Sequence, residues 1–279
     1  MKAKVLIAFL LLAVTASAAT KVKTQRFVVK DSIRLIDESE PNEPGYKFIK
    51  TATVNWPVTI NGKKSNALTK FLLDSVFGAN QNRDIYPYYP SDVKVISDFV
   101  TDGVYRALRD HSMAKEYRIY EVGSPGIPDI NRAEEPMRCW TEDVVLDYSH
   151  SYGDLAFFTA YYDDYYGGAH NMFATSYHAF DAKLDKPIFL KDIVTSPKKV
   201  LRMLPRYDDR DAESKWWQNI DVDDIDNFYI KNGKMVFVFA PYSVGPFCDG
   251  EVEVPIPLKT LNAKGLLTSY GKKLLTIKK

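Results

Sequence analysis

The densest group of side chains that could do chemistry is a ten-residue run of tyrosines and aspartates that ends in a histidine. The run comprises Tyr161, Tyr162, Asp163, Asp164, Tyr165, Tyr166, Gly167, Gly168, Ala169 and His170. If the chain turns back about Gly167, Asp164 comes near His170, and a carboxylate beside an imidazole could serve acid–base catalysis. The alternative is that the two glycines set the turn, His170 bonds a backbone carbonyl, and the tyrosines pack or bind. We favour this alternative.

A recognition role suits these residue types. Tyrosine supplies contact area at little entropic cost, and aspartate makes charge-assisted hydrogen bonds to a basic partner or to sugar hydroxyls. We therefore predict that the segment from Tyr161 to His170 is a recognition loop held between two strands.

Glycan hydrolysis is the alternative for this segment, using Asp163 and Asp164 with Glu142 or Asp143 as further carboxylates. Such a reaction needs two carboxylates about 5–9.5 Å apart across the sugar bond. Asp163 and Asp164 are neighbours, and neighbouring strand residues point to opposite faces of a sheet. These two aspartates are therefore poorly placed to be the catalytic pair, and we assign no catalytic residue.

Other chemistry is weakly indicated. The four histidines do not form a metal motif, and His170 and His178, eight residues apart on a predicted strand, would lie roughly 26 Å apart. No metal site and no cofactor are expected. A group of aspartates could bind calcium but lacks the glycine and terminal glutamate of an EF-hand loop, so a solvated acidic loop is the better interpretation. The group comprises Asp208, Asp209, Asp211, Asp221, Asp223, Asp224 and Asp226.

Two aromatic segments outside the main run could also take part in recognition. They are Ile85–Pro90 (IYPYYP) and the pair Trp216-Trp217. Exposed aromatic side chains in loops are used in sugar and protein recognition alike, but aromatics that cover a core are equally common.

The N-terminus has the pattern of a cleavable secretory signal. Lys2 and Lys4 precede the apolar run Val5–Val14, and small residues follow up to Ala19. The run has about half the roughly 20 residues that a membrane-spanning helix needs. We predict cleavage after Ala18 or Ala19 and an exported protein, periplasmic or secreted, without a later membrane span.

Composition excludes one class of partner. Cleavage after residue 19 would leave 260 of the 279 residues, with 35 Lys and Arg against 36 Asp and Glu, because the removed segment holds two lysines and no acidic residue. The mature net charge is near −1, and no basic run offers a nucleic-acid footprint.

The two cysteines, Cys139 and Cys248, fall near strand ends in one predicted sheet. Export leads to an oxidising compartment, where they could form a disulfide. The alternative is a pair of buried free thiols, and the sequence does not decide between the two.

Hydrophobic patterns predict an α+β fold, with an antiparallel meander preceded by a smaller strand–helix region. We divide the chain into a signal peptide (1–19), an N-terminal α+β region (20–135) and a second α+β domain (136–279). In the first region, strands are predicted at Gln25–Lys30 and Tyr46–Ile60, then a helix capped by Ser65 or Asn66 and stopped by Gly78. A second helix is predicted from Ser91, and the Pro- and Gly-rich segment Gly123–Pro136 is read as a loop.

The second domain is predicted to be rich in strands. The predicted strands are Asp143–His150, Leu155–Tyr162, His170–Phe180, Ile188–Ile193, a hairpin of Phe228–Ile230 with Met235–Ala240, and Glu251–Ile256. A helix is predicted to begin after the cap Ser196, and a short one is predicted over Leu258–Leu267.

Several of these segments resemble a known family. They are Tyr166–His170, Phe180-Asp181, Ile188–Ile193 and the run Phe237–Ile256. Over roughly residues 136–262 they resemble the RsiV-like extracellular domain of unknown function, and residues 45–80 loosely resemble the domain that precedes it there. This domain is found in anti-sigma factors that sense lysozyme and beside peptidoglycan deacetylase domains.

The resemblance implies a place at the cell envelope and the binding of a protein, lysozyme-like in some relatives, or of a glycan. An anti-sigma factor would need a cytoplasmic segment and a membrane span before the domain, and a deacetylase would need a metal-binding catalytic domain. We find neither pattern in this sequence. We therefore expect an exported, non-enzymatic binding module. The alternatives are the glycan hydrolase described above and a structural envelope protein.

Overall fold

The structure is a computed structural model that describes residues 20–37, 46–78, 117–120, 138–210 and 214–277. Four predictions lie outside these residues: the signal segment 1–19, the aromatic segment 85–90, the helix from residue 91, and the loop 123–136.

Ten strands form two sheets in the described part of the chain. They are β1 (Val22–Asp37), β2 (Tyr46–Ile60), β3 (Tyr117–Tyr120), β4 (Arg138–Tyr152), β5 (Leu155–Tyr165), β6 (Met172–Asp181), β7 (Lys186–Ile188), β8 (Phe228–Lys231), β9 (Lys234–Phe239) and β10 (Val252–Pro257). Seven strands make one sheet in the order β3-β1-β2-β4-β5-β6-β7, and β10-β9-β8 make the other. The α+β class and the β4–β7 meander are confirmed.

The large sheet joins the two predicted parts of the chain. β2 and β4, which lie on either side of the predicted boundary at residue 135, pair in parallel, whereas the other paired strands are antiparallel. The N-terminal hairpin therefore shares a hydrogen-bonded sheet with the meander.

Among the described residues, five α-helices pack against the sheets. They are α1 (Asn66–Phe77), α2 (Leu190–Ile193), α3 (Pro197–Leu201), α4 (Leu258–Ala263) and α5 (Ser269–Leu274). α1 has the predicted ends: the Ser65 hydroxyl accepts a hydrogen bond from the Leu68 amide, and Gly78 ends the helix with φ +62°. Glycine suits that left-handed position because it lacks a Cβ.

One predicted strand is wrong. Residues 186–188 form the strand β7, but residues 190–193 form the helix α2. The Asp192 carboxylate accepts a hydrogen bond from the Phe189 amide at the helix start. Leu190 and Ile193, three residues apart, are both buried, a spacing that a helix satisfies and a strand does not.

Alternation along the central strands sends apolar side chains to both faces of the large sheet. On one face, Leu146, Phe158 and Phe180 pack with Leu68 and Leu72 of α1. The opposite face packs against the small sheet and the C-terminal helices through a second set of buried residues. That set includes Leu155, Phe157, Ala179, Phe228, Phe237, Ile256 and Leu274. β4 and β5 are therefore covered by packed side chains on both faces of the sheet.

Candidate functional site

Half of the tyrosine–aspartate run is strand, so the connecting loop is shorter than predicted. β5 continues to Tyr165, and β6 begins at Met172, so only residues 166–171 connect them. Because strand residues alternate between faces, Tyr162 and Asp164 lie on the α1 side of the sheet. Tyr161, Asp163 and Tyr165 lie on the side of the small sheet. The run is therefore divided between two surfaces.

A row of charged side chains crosses the α1 side of the large sheet. Lys50 of β2 pairs in register with Glu142 of β4, and Glu142 pairs with Asp164 of β5. The Lys50 Nζ lies 2.7 Å from a Glu142 carboxylate oxygen, and Lys50 is buried. Two carboxylates on adjacent strands thus share one buried cation.

Tyr166 closes this row at the start of the β5–β6 loop. Its hydroxyl donates to the other Glu142 oxygen, and its ring stacks on the buried Phe48 with centroids 6.3 Å apart. Trp140 meets the same ring edge-on at 6.2 Å. Even so, 41% of Tyr166 is exposed. Its ring is held rigidly while one side of it remains open to a partner.

Asp164 is the carboxylate that this environment perturbs most clearly. Burial, followed by the charge of Glu142, raises the pKa of Asp164 from 3.8 to about 6, although Lys50 acts in the opposite direction. A like charge within a few ångströms disfavours ionisation of the second group. Asp164 therefore changes charge close to neutral pH.

We predict that Asp164→Asn stabilises the protein at pH 7 and has little effect at pH 4. The pKa of Asp164 is raised to about 6 in the folded state. Its carboxyl group therefore contributes in full to the free energy of unfolding below pH 3.8, and this contribution is lost as the pH rises through 6. Because Asp164 is only half-buried, we expect a gain of about 1 kcal/mol in the free energy of unfolding. Urea unfolding at the two pH values measures it. Asp209→Asn, an exposed change of equal charge, should show no such difference, and an equal gain at both pH values would contradict the prediction.

On the opposite side of the sheet, Asp163 has local partners. One carboxylate oxygen accepts the Tyr161 hydroxyl at 3.1 Å, and the other accepts the Asn171 amide at 2.6 Å. Asp163 therefore holds the end of the β5–β6 loop against its strand, and it points away from Asp164 as the sequence predicts.

His170 belongs to an aromatic cluster and not to an acid–base pair. Its ring stacks on Phe247 at 3.6 Å between centroids. Its Nδ1 lies 2.9 Å from the Asn171 carbonyl, and its Nε2 lies 3.4 Å from the Tyr242 hydroxyl. The structure does not bring His170 together with Asp164, because the cluster lies on the small-sheet side.

The exposed part of the site lies at the loop end of β5 and β6. We call it the hairpin-end surface and define it by Tyr166, His170, Met172, Tyr242 and Phe247, with Asp163 and Asp164 beside them. Met172 is 46% exposed and Tyr242 is 49% exposed. Tyr162, by contrast, packs against the α1 core, and its hydroxyl donates to the Val76 carbonyl. Tyr162 is therefore a structural residue.

Sequence reasoning missed Lys50, Tyr242 and Phe247 as site residues. Tyr242 and Phe247 lie in the run Phe237–Ile256, which is one of the segments that resemble the RsiV-like domain. Its Pro-Tyr-Ser-Val-Gly-Pro-Phe sequence is itself a signal of an aromatic surface. Lys50 carries no comparable signal, because only the β2–β4 register places it beside Glu142.

Both cysteines are exposed in the structure and no disulfide joins them, so the disulfide considered from the sequence is not formed there. Cys139 lies on β4, whereas Phe247, the neighbour of Cys248, packs on Phe173 of β6.

Several of the remaining predicted candidates have structural partners, and Asp211 lies outside the described residues. Asp208 binds the Arg210 guanidinium, Asp221 accepts two backbone amides of its own turn, and Asp226 accepts the Leu190 amide. Trp217 packs edge-on against Phe239. Within the described ranges, no three His, Cys, Asp or Glu side chains are grouped so that they could hold a metal ion. No helix among the same residues has the length and apolar character to cross a bilayer.

Comparison with known proteins identifies a domain but no activity. Residues 182–259 match a family described as "Protein of unknown function (DUF3298)". A crystal structure of a DUF3298 family member from Bacteroides fragilis superposes with a TM-score of 0.53 at 17% identity, covering 92% of this chain and 99% of that one. A DUF3298 family protein from Pseudomonas aeruginosa superposes with a TM-score of 0.49 at 12% identity, covering 89% of this chain and 95% of that one. No curated protein matches the chain. The Bacteroides structure supports the fold.

Proposed function

We propose that this protein is an exported, non-enzymatic binding module of the cell envelope that recognises a protein or a glycan. Recognition takes place at the hairpin-end surface. The partner class includes lysozyme-like proteins and cell-wall glycans, and the protein acts in the periplasm or outside the cell.

The observation that carries the proposal is the exposure of rigidly held aromatic rings at the hairpin-end surface. Tyr166 is fixed by Phe48, Trp140 and Glu142, yet 41% of it is open. At the other end of the loop, Tyr242, of which 49% is exposed, packs beside His170 and Phe247, with the Tyr242 and Phe247 ring centroids 5.5 Å apart. Rigid aromatic side chains lose little entropy on binding and are enriched among the residues that dominate interface energies.

The acidic side chains around these rings indicate which partner groups would be favoured. Two carboxylate pairs lie in register near the loop end of β5: Glu142 with Asp164 on the α1 side, where Lys50 is the counter-charge, and Asp143 with Asp163 on the opposite side. Carboxylates favour basic side chains or sugar hydroxyls. The export part of the proposal rests on the N-terminal signal pattern, and the envelope part rests on the RsiV-like resemblance.

The proposal is tested by measuring binding of two immobilised probes, lysozyme and soluble peptidoglycan fragments, to the protein lacking residues 1–19. We expect saturable binding of one probe. The double variant Tyr166→Ala/Tyr242→Ala should weaken it by roughly 10-fold or more, as expected for truncated aromatic anchors.

Leu184→Ala is the matched control, because Leu184 is also a large exposed side chain but lies on the β6–β7 turn. It should bind as the unchanged protein does. If neither probe binds, or if Leu184→Ala weakens binding as much as the double variant, the proposal is wrong.

A glycan hydrolase is a second candidate, favoured by one observation. Glu142 and Asp164 are cross-strand neighbours on the same face, and such neighbours have Cβ atoms about 4.5–5.5 Å apart. Asp164, with its raised pKa, would be the acid, and Glu142 would be the second carboxylate. Because Lys50 and Tyr166 already occupy both Glu142 oxygens, we place this second. Release of reducing sugar ends that is lost in Glu142→Gln and in Asp164→Asn would establish it.

A further inference from the structure

A cleft of about 300 Å³ lies between α1 and β6, away from the hairpin-end surface. Its walls come from α1, from the Tyr177–Ala179 part of β6, from Ile188-Phe189 and from the segment Asp226–Phe228. A volume of this size is at the lower end of the range for small-molecule sites. The cleft is therefore large enough for a compact ligand.

The walls are predominantly apolar and aromatic. Phe71 of α1 and Phe189 meet edge-on with ring centroids 6.1 Å apart, and Ile188 and Phe228 complete the lining. Phe189 is 37% exposed, which is unusual for a ring beside a core.

Two of the polar groups in the cleft are already satisfied. The Asn227 side-chain amide is committed to the backbone of Thr175, Tyr177 and Val238. The His178 Nε2 lies 3.0 Å from the Ser176 hydroxyl. Burial lowers the pKa of His178 to about 4, so this imidazole is neutral and brings no charge to the cleft near pH 7.

Asp226 is the charged group that lines the cleft. One of its oxygens accepts the Leu190 amide at 2.6 Å, and the other has no hydrogen-bond donor among the described residues. Of the charged neighbours, Asp192 and Asp223 add negative charge, and Lys191 opposes it. The Lys191 ammonium lies over the Phe189 ring at 5.5 Å, and Lys186 pairs with Asp192 at 3.5 Å. A carboxylate oxygen thus remains available beside an aromatic wall.

We propose that the cleft between α1 and β6 binds a small ligand that joins an aromatic or similarly compact apolar group to a cationic amine. The apolar group lies against Phe71 and Phe189, and the ammonium donates to the free oxygen of Asp226. The cleft is a separate site, so this proposal stands independently of the partner at the hairpin-end surface.

The test uses 2-phenylethylamine as the probe, with 2-phenylethanol and 3-phenylpropionate as matched compounds of neutral and negative charge. Titration followed by amide chemical shifts should give saturable changes around the cleft, with a Kd of about 1–10 mM for so small a ligand. We expect the alcohol and the acid to bind roughly 10-fold more weakly or not at all, because each lacks the charge-assisted hydrogen bond.

Two variants and one control locate the site. Asp226→Asn keeps an oxygen to accept the Leu190 amide but removes the charge, and should weaken amine binding roughly 10-fold. Ser75→Trp places a ring at the mouth of the cleft from an exposed position of α1 and should abolish binding. Asp223→Asn removes the same charge from a neighbouring residue that does not line the cleft and should change affinity less than about 2-fold.

Three outcomes would each overturn the proposal. The amine gives no saturable shifts, the amine and the acid bind equally well, or Asp226→Asn binds the amine with unchanged affinity. The folded state of every variant is checked by its amide spectrum. Because the probe and the cleft differ from those of the hairpin-end surface, failure here leaves the lysozyme and peptidoglycan result unaffected.

Discussion

Replacing Asn227 by Ala is expected to lower the free energy of unfolding by about 3 kcal/mol. Asn227 accepts the Tyr177 amide at 2.8 Å and donates to the Thr175 carbonyl at 2.8 Å and the Val238 carbonyl at 3.1 Å. β7 pairs only with residues 179–181 of β6, so this side chain replaces strand pairing for the Thr175 carbonyl and the Tyr177 amide, while Glu251 accepts the Thr175 amide. Its loss leaves three backbone groups without their partner where the two sheets meet.

Urea unfolding of the variant measures the loss, and two further variants define its cause. Asn227→Asp can still accept from Tyr177 but has no amide to donate, so it should lose more than half as much stability. Asn219→Ala, at an exposed position, should stay within about 0.5 kcal/mol of the unchanged protein. A loss below about 1 kcal/mol for Asn227→Ala would show that water replaces these bonds and that the edge is not held by this residue.

Replacing Lys50 by Met is expected to cost about 3 kcal/mol at pH 7. Methionine keeps most of the apolar stem but removes the ammonium that pairs with Glu142 at 2.7 Å. Glu142 and Asp164 would then face each other with no buried cation. Since Lys50 lowers the pKa of Asp164 in the intact protein, that pKa should also rise further above 6 in the variant.

Chemical denaturation and NMR titration of Asp164 test the two effects separately. The added change Glu142→Gln should recover at least half of the lost stability, because it removes the uncompensated charge. Lys70→Met is the matched control: Lys70 pairs with Asp74 on the exposed side of α1, and such surface pairs contribute about 0.5 kcal/mol. If Lys50→Met costs no more than Lys70→Met, the row is not a buried charge network.

The Lys50 and Tyr166 contacts are the reason that we propose binding, and not hydrolysis, for the hairpin-end surface. A catalytic carboxylate must reach its substrate, whereas both Glu142 oxygens already have protein partners. The same contacts hold the Tyr166 ring in one orientation, which limits the entropy lost when a partner binds.

The sequence by itself determined the fold class and most of the elements, because these follow from local patterns. The alternation along Leu155–Tyr162 and the Ser65 cap with the Gly78 stop each correspond to an observed element. The Asn232-Gly233 turn of the β8–β9 hairpin was also correctly placed, with both residues at positive φ. The segment Ile188–Ile193 was wrong because a short apolar run has no period long enough to separate a strand from one helical turn.

The sequence also predicted that Asp163 and Asp164 point to opposite faces, since a strand requires it. It did not determine how long β5 is, and so it ended the strand at Tyr162 and placed Asp163–Tyr165 in a loop. Where a strand ends depends on the strands that pair with it. β5 continues as a strand through Asp164 because it is hydrogen-bonded there to both β4 and β6.

Only the tertiary structure decided which side chains meet. Lys50 and Glu142 are 92 positions apart in the chain and become neighbours through the parallel register of β2 and β4. His170 meets Phe247 because the small sheet packs across the large one. Local patterns fix which face of its own element a side chain occupies, but contacts between distant segments depend on register and on packing between layers, which no short-range pattern encodes.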